Sequence, residues 1–438
     1  MPHLLTNAAQ GLLTLELPLL TLITFALWFP SPARDAWVWL LVLLLPIYAA
    51  RYLLYRRLWT WTPLTAWLLA FIALLFVNVA LGLWLAAAGT PSAPYSRGWL
   101  ILGRPLLGLA IFVACVEHAC AHGLHGLIAR SVWLAFALGL FALGATQWPQ
   151  KANQFVFITD HLPITRGFPG AENGFNPNEI AGALAWLTPL AAGIALYRWR
   201  EKLPQRDVAT LALAFCGAAL FLGQSRAALI GALLALALLT LFLLKKRWRW
   251  LALTAVVAVA LLQVLVVAQV FVPPQAAQTG GVEAQASQSL APRFSLWSSA
   301  LAMIRDFPLT GVGFTYFRFE PVRSLYPVEG VRPGAAVHAH NEWLQMGADF
   351  GLPGMLLYLV WHIVALRMIW RVWRQGSAEA RALVMAVACG LLAHSVFGLL
   401  DAIPLADRFA FLFWWMLGLL GALYAVTAAT SPPRQVPS

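Results

Sequence analysis

The segment HAHNEWLQMGAD at 338–349 places five side chains capable of chemistry within twelve positions: His338, His340, Asn341, Glu342 and Asp349. The chain around it is 61% hydrophobic and only 11% charged. An imidazole titrates near neutral pH, so it can accept or release a proton during a reaction. The segment therefore points to acid–base chemistry, to a metal site, or to a capped helix start.

Three interpretations stay open on the residues alone. In the first, His338, His340 and Glu342 bind zinc from one face of an extended segment, although the surrounding loop holds no further His or Cys. In the second, Asn341 and Glu342 cap a helix and the histidines are surface residues. In the third, which we favour, an imidazole is a general base beside arginines that bind an anion, because arginine forks match phosphate oxygens.

Three arginines outside this segment are candidates for the anion site. Arg226 ends a Gly-Gln-Ser-Arg turn at 223–226, Arg293 precedes an aromatic helical pattern, and Arg166 belongs to an earlier polar stretch. The alternative for Arg226 is an interfacial anchor whose side chain only snorkels to water. The stretch after Arg166 either serves the site or begins a helix with Asn178 as its N-cap.

The elements that position these groups must lie in a membrane. The mean hydropathy is +0.75 and long apolar runs recur along the chain, as they do in integral membrane proteins. Only helices and closed barrels satisfy their backbone groups in hydrocarbon, and these runs do not alternate as barrel strands do. We therefore expect an all-α polytopic membrane protein.

Polar breaks between the apolar runs predict about twelve transmembrane helices. They lie near 11–29, 36–50, 64–88, 99–120, 131–147, 179–197, 208–223, 227–244, 249–272, 351–370, 382–400 and 408–428. The run Val208–Leu244 is divided because its 37 residues would form a helix of roughly 55 Å, nearly twice the ~30 Å hydrocarbon core. We expect it to fold back at Gly223–Arg226.

Basic residues in short loops predict the orientation. They cluster on one side of the predicted spans, near 51–57, 198–206, 245–249 and 367–381, and such loops stay in the cytoplasm. This explains much of the net charge of +12 without a nucleic-acid partner. The predicted regions are N-terminal transmembrane helices at 1–150, central transmembrane helices with a first outer loop at 151–272, a large outer loop at 273–350, and C-terminal transmembrane helices with a short cytoplasmic tail at 351–438.

The large outer loop is expected to carry short amphipathic helices. Four large apolar residues recur at helical spacing, which suits a helix along the membrane surface: Phe294, Trp297, Leu301 and Ile304. Beyond the polar segment, Gly351-Leu-Pro-Gly354 allows a helix break before the apolar run resumes. The polar segment would then lie where the membrane meets water.

With these residues assembled, the chain resembles the O-antigen ligase family, which also holds O-antigen polymerases and bacterial protein O-oligosaccharyltransferases. His340-Asn341, nine residues and then Gly351-Leu-Pro-Gly354 is similar to the family's HN-x9-GxxG pattern. Ser225-Arg226 is similar to its Ser-Arg at a short outer turn, and Arg293 before PLTGVGF at 308–314 resembles the approach to its large loop. Arg166 with NPN at 176–178 resembles an earlier loop motif.

The resemblance implies a glycosyltransferase of the bacterial inner membrane whose active site faces the periplasm. It would move a glycan from undecaprenyl diphosphate to lipid A-core oligosaccharide among membrane lipids, with no cofactor. His340 would accept the acceptor's proton, with His338 as the alternative base. The resemblance assigns the diphosphate to Arg226, Arg293 and Arg166, and Asp401 or Asn341 would orient an imidazole or the acceptor.

The family's members differ in acceptor. A polymerase would extend another carrier-linked glycan, and an oligosaccharyltransferase would modify serine or threonine on proteins. The chain ends about ten residues past its last predicted helix, whereas protein-modifying relatives tend to carry further C-terminal sequence, so a ligase is expected. A transporter or flippase is the alternative of another class, but these charges lie at helix ends and no repeat is visible.

Overall fold

The computed structural model describes residues 2–26, 36–87, 98–148, 156–162, 174–267, 290–328 and 338–430. Within these ranges the chain is helical and forms no strand, and one isolated bridge joins Thr146 to Phe175. The all-α expectation is confirmed for this part of the chain.

The helices follow the order of the predicted apolar runs. They are α1 (Pro2–Ala26), α2 (Ala36–Tyr55), α3 (Pro63–Ala87), α4 (Gly98–His122), α5 (His125–Ala145), α6 (Val156–Thr159), α7 (Pro177–Arg200), α8 (Arg206–Leu222), α9 (Arg226–Leu243), α10 (Lys246–Val267), α11 (Leu290–Asp306), α12 (Glu320–Leu325), α13 (Glu342–Gln375), α14 (Ala378–Gly398) and α15 (Ala410–Thr430). A 3₁₀ helix at Tyr316–Arg318 precedes α12. Each predicted span overlaps one of the longer helices.

Eight helices among the described residues are long and apolar enough to cross a membrane, by length and composition: α3, α4, α5, α7, α9, α13, α14 and α15. Shorter apolar stretches occur at Val42–Tyr55 in α2 and Trp248–Leu262 in α10. These helices are those of a multi-pass membrane protein. The count of twelve spans and the outward side of the large loop stay predictions.

The predicted break in the run Val208–Leu244 is confirmed. α8 ends at Leu222 and α9 begins at Arg226, and Gln224 between them has a left-handed φ of +49°. α9 then packs closely on α14, because Gly231 has no side chain and lies directly against the backbone carbonyl of Ala393. The start of α9 is thereby brought toward the end of α14.

α13 consists of two arms that fold back on each other at Gly351. This residue has φ 69° and ψ −162°, a conformation open essentially only to glycine. The Trp343 ring of the first arm (342–350) lies 4.8 Å from the Tyr358 ring and 5.4 Å from the His362 ring of the second arm (352–375). In one straight helix such residues would be ~20 Å or more apart. The predicted break is confirmed, and it reverses the chain.

A polar side chain of α3 holds the large loop against this reversal. The Asn78 amide donates to the Thr310 carbonyl at 2.9 Å, and its oxygen accepts from the Phe314 backbone N–H at 2.9 Å. The Val312 N–H donates to the Ala348 carbonyl at 2.8 Å. The turn at 310–314 is therefore fixed to both α3 and the first arm of α13.

The predicted amphipathic helix is present as α11, but its apolar residues lie on two faces. Leu296, Ala300 and Met303 are buried against the rest of the loop, whereas Phe294 and Leu301 are each 55% exposed. Of the predicted apolar face, Phe294 and Leu301 are exposed but Ile304 is buried, so the prediction of a single apolar face was only partly right. A position along the membrane surface stays a prediction for the exposed side.

Candidate functional site

His340 lies against Asp401, which follows α14 in the turn before α15. Nδ1 of His340 is 2.8 Å from Oδ1 of Asp401, although the approach is too oblique for an aligned hydrogen bond. Catalytic hydrogen bonds are often poorly aligned before a substrate binds. A carboxylate facing Nδ1 favours the tautomer protonated there, which leaves the Nε2 lone pair able to accept a proton.

Asp401 is a buried carboxylate surrounded by positive and hydrogen-bond-donating groups. Its Oδ1 accepts from the Ala402 N–H at 2.9 Å, and Arg293 Nη2 lies 3.7 Å from its Oδ2. Burial acts to raise the pKa of the Asp401 carboxyl, but His340, His338 and Arg293 together hold that pKa well below its usual range. Asp401 is therefore ionised at neutral pH and can orient an imidazole.

His338 lies in the same cluster but is more buried. Its Nδ1 is 3.9 Å from Asp401 Oδ1, and its side chain is 13% exposed against 27% for His340. The same Nδ1 accepts the His340 backbone N–H at 3.2 Å. Burial lowers the pKa of His338 to about 4, and the neighbouring His340 acts in the same direction. His338 is therefore neutral at physiological pH.

α11 and the backbone of His340 hold each other in place. His340 has a left-handed φ of +49°, and its carbonyl accepts from the Trp297 indole N–H at 3.3 Å. Arg293 precedes Trp297 by about one helical turn, so both side chains lie on the same face of α11. The spacing of Arg293 and Trp297 thus has a geometric role that the sequence pattern alone did not reveal.

Asn341 fixes the start of α13. Its side-chain oxygen accepts from the Leu344 N–H at 3.0 Å, and its amide donates to the Leu399 carbonyl at 3.0 Å. The expected capping role is confirmed. Both bonds go to the backbone rather than to an imidazole, so Asn341 acts on the site by joining α13 to the end of α14.

A buried network behind the histidines was not foreseen from the sequence. Glu342 accepts from the Tyr358 hydroxyl at 2.5 Å, and its other carboxylate oxygen is 2.6 Å from His394 Nε2. His394 stacks on Trp186 with ring centroids 3.4 Å apart, and its Nδ1 lies 2.9 Å from the Gly182 carbonyl. The network joins both arms of α13 to α14 and α7. An ionisable residue inside an apolar helix is the signal that singles out His394.

Two further ion pairs support the turn that carries Asp401. Arg318 Nη2 is 2.8 Å from Asp407 Oδ1, and Arg408 Nε is 3.1 Å from Glu179 Oε1. They tie the 3₁₀ helix and the start of α7 to the segment between α14 and α15. The sequence offered no local signal for either pairing.

Two of the predicted arginines, Arg226 and Arg166, are not part of the described cluster around Asp401. Arg226 is exposed at the start of α9, and among the described ion pairs Asp401 faces Arg293 and not Arg226. Arg166 lies outside the described residues. The helix after it begins with Asn176 as N-cap, whose side chain accepts from the Asn178 N–H at 2.8 Å. The prediction that Asn178 is the N-cap was wrong. Pro177 already occupies the first helical position, so Asn178 lies inside the helix.

The geometry also permits a metal ion. His338, His340 and Asp401 each offer one ligand atom, and these atoms lie within 4.8 Å of one another. Two imidazoles and a carboxylate suit zinc. Glu342, the third ligand in the zinc interpretation of the sequence, is instead paired with His394 and Tyr358. If a metal binds, Asp401 replaces Glu342 in the ligand set.

The fold and site define a multi-pass helical membrane protein with an imidazole–carboxylate pair and an arginine at one end of its helices. The model of the family described as Wzy_C, O-Antigen ligase, matches residues 211–359. The resemblance to this family that was drawn from the motifs is thereby confirmed for the matched residues. The match includes Arg226, Arg293 and His340 but ends before Asp401. No curated protein matches the chain.

Proposed function

We propose that this protein is an O-antigen ligase, which transfers a glycan from undecaprenyl diphosphate to lipid A-core oligosaccharide. The reaction would take place at the periplasmic face of the bacterial inner membrane, with twelve spans and the large loop outside. The observation that carries the proposal is the 2.8 Å approach of His340 to Asp401, with Arg293 on the other carboxylate oxygen. The family match over residues 211–359 supports it.

In the proposed reaction the acceptor hydroxyl attacks C1 of the donor sugar. A new C1–O bond forms while the bond from C1 to the diphosphate oxygen breaks, and its electron pair leaves with the diphosphate. The hydroxyl proton passes to Nε2 of His340, whose positive charge Asp401 stabilises. Arg293, Arg226 and Arg166 would offset the charge that the diphosphate gains.

His340 is the better base of the two histidines. It is the more exposed imidazole and the one nearer to Asp401, at 2.8 Å against 3.9 Å for His338. His338 already accepts the His340 N–H through Nδ1, so its contribution would be to fix the backbone of His340. The transfer proposed here needs no metal ion.

A metal-assisted transfer is the second candidate, favoured by the ligand geometry of His338, His340 and Asp401. In that case the three residues would hold a divalent cation, which would act as a Lewis acid on the diphosphate or acceptor oxygen. Neither histidine could then serve as a free base through its ligand nitrogen. The two candidates differ in their response to a chelator.

Analysis of the lipopolysaccharide from cells that lack the gene tests which acceptor the enzyme uses. A ligase predicts that all long glycan disappears from lipid A while full-length carrier-linked glycan accumulates. Loss of a polymerase would instead leave single repeats on lipid A. Loss of an oligosaccharyltransferase would leave lipopolysaccharide unchanged, and the glycan would be missing from proteins. Loss of carrier-linked glycan from the outer face, with transfer intact, would indicate a flippase.

A further inference from the structure

An apolar cavity lies behind the network of Glu342, Tyr358 and His394. Its volume is about 340 Å³, and its walls come mainly from the second arm of α13 and from α14 and α15. Small and aliphatic side chains line it: Ala365, Ile369, Ala388, Leu392 and Leu417. Tyr358 and His394 also line it, so the cavity shares a wall with the network that underlies His340.

The cavity is close both to lipid and to the candidate active site. Leu366 contributes to its lining and is 65% exposed on the outer surface of the helices. On the other side, Trp343 follows Asn341 closely in the chain and stacks on His362, another lining residue, at 5.4 Å. The cavity therefore lies between the exposed surface at Leu366 and the aromatic contact that leads to the histidine segment.

The polar groups in the cavity wall are satisfied within the protein. His362 Nδ1 lies 2.8 Å from the Tyr358 carbonyl, and its Nε2 lies 3.3 Å from the Ser395 hydroxyl. Ser395 is also bonded to the Leu391 carbonyl at 2.8 Å. The wall therefore presents hydrocarbon and aromatic surface, which fits an apolar ligand rather than a sugar or a phosphate.

We propose that the cavity binds the isoprenoid chain of the donor, in the part nearest to the diphosphate. The inference rests on the proposed function, because it places the lipid end of the substrate whose diphosphate Arg293 would hold. A cavity of 150 Å³ accommodates benzene, so 340 Å³ has room for roughly two isoprene units. One narrow chain fits this space, whereas the paired acyl chains of a phospholipid do not.

The surrounding bilayer is as apolar as the cavity, so binding there adds packing and position rather than a hydrophobic driving force. Binding in the cavity would fix the orientation of the first isoprene units. The diphosphate attached to them would then stay beside His340 and Arg293. Alignment of reacting groups is a large part of catalysis.

Photolabelling tests the proposal directly. Purified protein in phospholipid nanodiscs is irradiated with a glycan-free isoprenyl diphosphate that carries a diazirine on its second isoprene unit, and the labelled peptides are identified by mass spectrometry. We expect label on residues 362–369 and 385–395, displaced by unlabelled undecaprenyl diphosphate. Ala388→Phe, which fills the cavity, should reduce this labelling about tenfold or more.

Leu359→Phe is the matched control, because Leu359 is on the same arm of α13, is 43% exposed and does not line the cavity. It should label as the wild type does. Labelling that Ala388→Phe leaves unchanged, or that added phospholipid displaces as well as undecaprenyl diphosphate, would overturn the proposal. Thermal midpoints of both variants establish that they fold. Glycan transfer is measured separately, so that failed transfer with intact labelling counts against the proposed function alone.

Discussion

Asp401 joins His340 and Arg293, because each approaches a different oxygen of its carboxylate. Nδ1 of His340 is 2.8 Å from Oδ1, and Nη2 of Arg293 is 3.7 Å from Oδ2. One buried anion thereby positions the candidate base and a candidate phosphate ligand together. The guanidinium is not in close hydrogen-bond contact with Asp401, so most of its five donors stay available for a diphosphate.

Replacement of Arg293 by alanine should weaken donor binding and transfer together. A charge-assisted hydrogen bond contributes about 1.5–3 kcal/mol, so the dissociation constant should rise roughly 10- to 100-fold. Titration of purified protein with undecaprenyl diphosphate measures this. Arg305→Ala is the control, since Arg305 is on α11 but its side chain is 80% exposed and pairs only with the adjacent Asp306 in the described ion pairs. Equal affinities for the two variants would exclude Arg293 from the diphosphate site.

Mild acid should destabilise the wild-type protein through His338. The pKa of His338 is about 4 in the folded protein and about 6.5 in an unfolded chain, so the unfolded chain binds the proton more readily. Stability is then unaffected above pH ~6.5 and falls as the pH decreases toward 4. Asp401 adds little change above about pH 5, because its carboxyl is ionised there in both the folded and the unfolded chain.

His338→Gln removes that titration while it keeps a polar side chain. Between about pH 7.5 and about pH 5 the thermal midpoint of the wild type should therefore fall further than that of the variant. If the thermal midpoints of the wild type and of His338→Gln fall by the same amount, His338 is not buried in its neutral form.

Gly351→Ala should destabilise the fold and displace the histidine segment. At φ 69° and ψ −162° an alanine is strained, and its Cβ would collide with the Pro308 carbonyl. We expect a loss of about 2–4 kcal/mol, seen as a lower thermal midpoint. Gly217→Ala in α8 is the control, because open space surrounds that position and alanine favours a helix. A Gly351→Ala protein as stable as the Gly217→Ala protein would contradict the reversal at Gly351.

A chelator separates the two candidate mechanisms. If His340 is a free general base, transfer should continue at its full initial rate after incubation with EDTA and removal of the chelate. If His338, His340 and Asp401 hold a metal, EDTA should stop transfer and zinc should restore it. That second result would replace the general-base assignment with the metal-assisted one.

Local sequence chemistry was sufficient to predict the breaks that shape the site. Gly223 and Gly351 mark chain turns, and Asn341 has the side chain that a helix start requires. The helix through Arg293 and Trp297 follows from apolar spacing. Each of these features depends on residues within a few positions of one another.

Features that depend on distant residues were not predictable in the same way. The reversal at Gly351 becomes evident only when Trp343 contacts His362, and the partner of Glu342 is His394 on another helix. Asp401 was a candidate because of its place in a turn, yet nothing in the sequence distinguished its contact with His340 from one with the acceptor. Packing of α13 against α14 decides these pairings.

The initial rate of glycan transfer by purified His340→Ala, beside His338→Ala and the wild type, tests the central claim most directly. With undecaprenyl diphosphate-linked glycan and lipid A-core as substrates, loss of a general base should lower the rate of His340→Ala by ~10²–10⁴. Its donor affinity should stay close to that of the wild type, because a neutral imidazole contributes little to diphosphate binding. His338→Ala should keep most of the rate. A fully active His340→Ala enzyme together with an inactive His338→Ala enzyme would contradict the account.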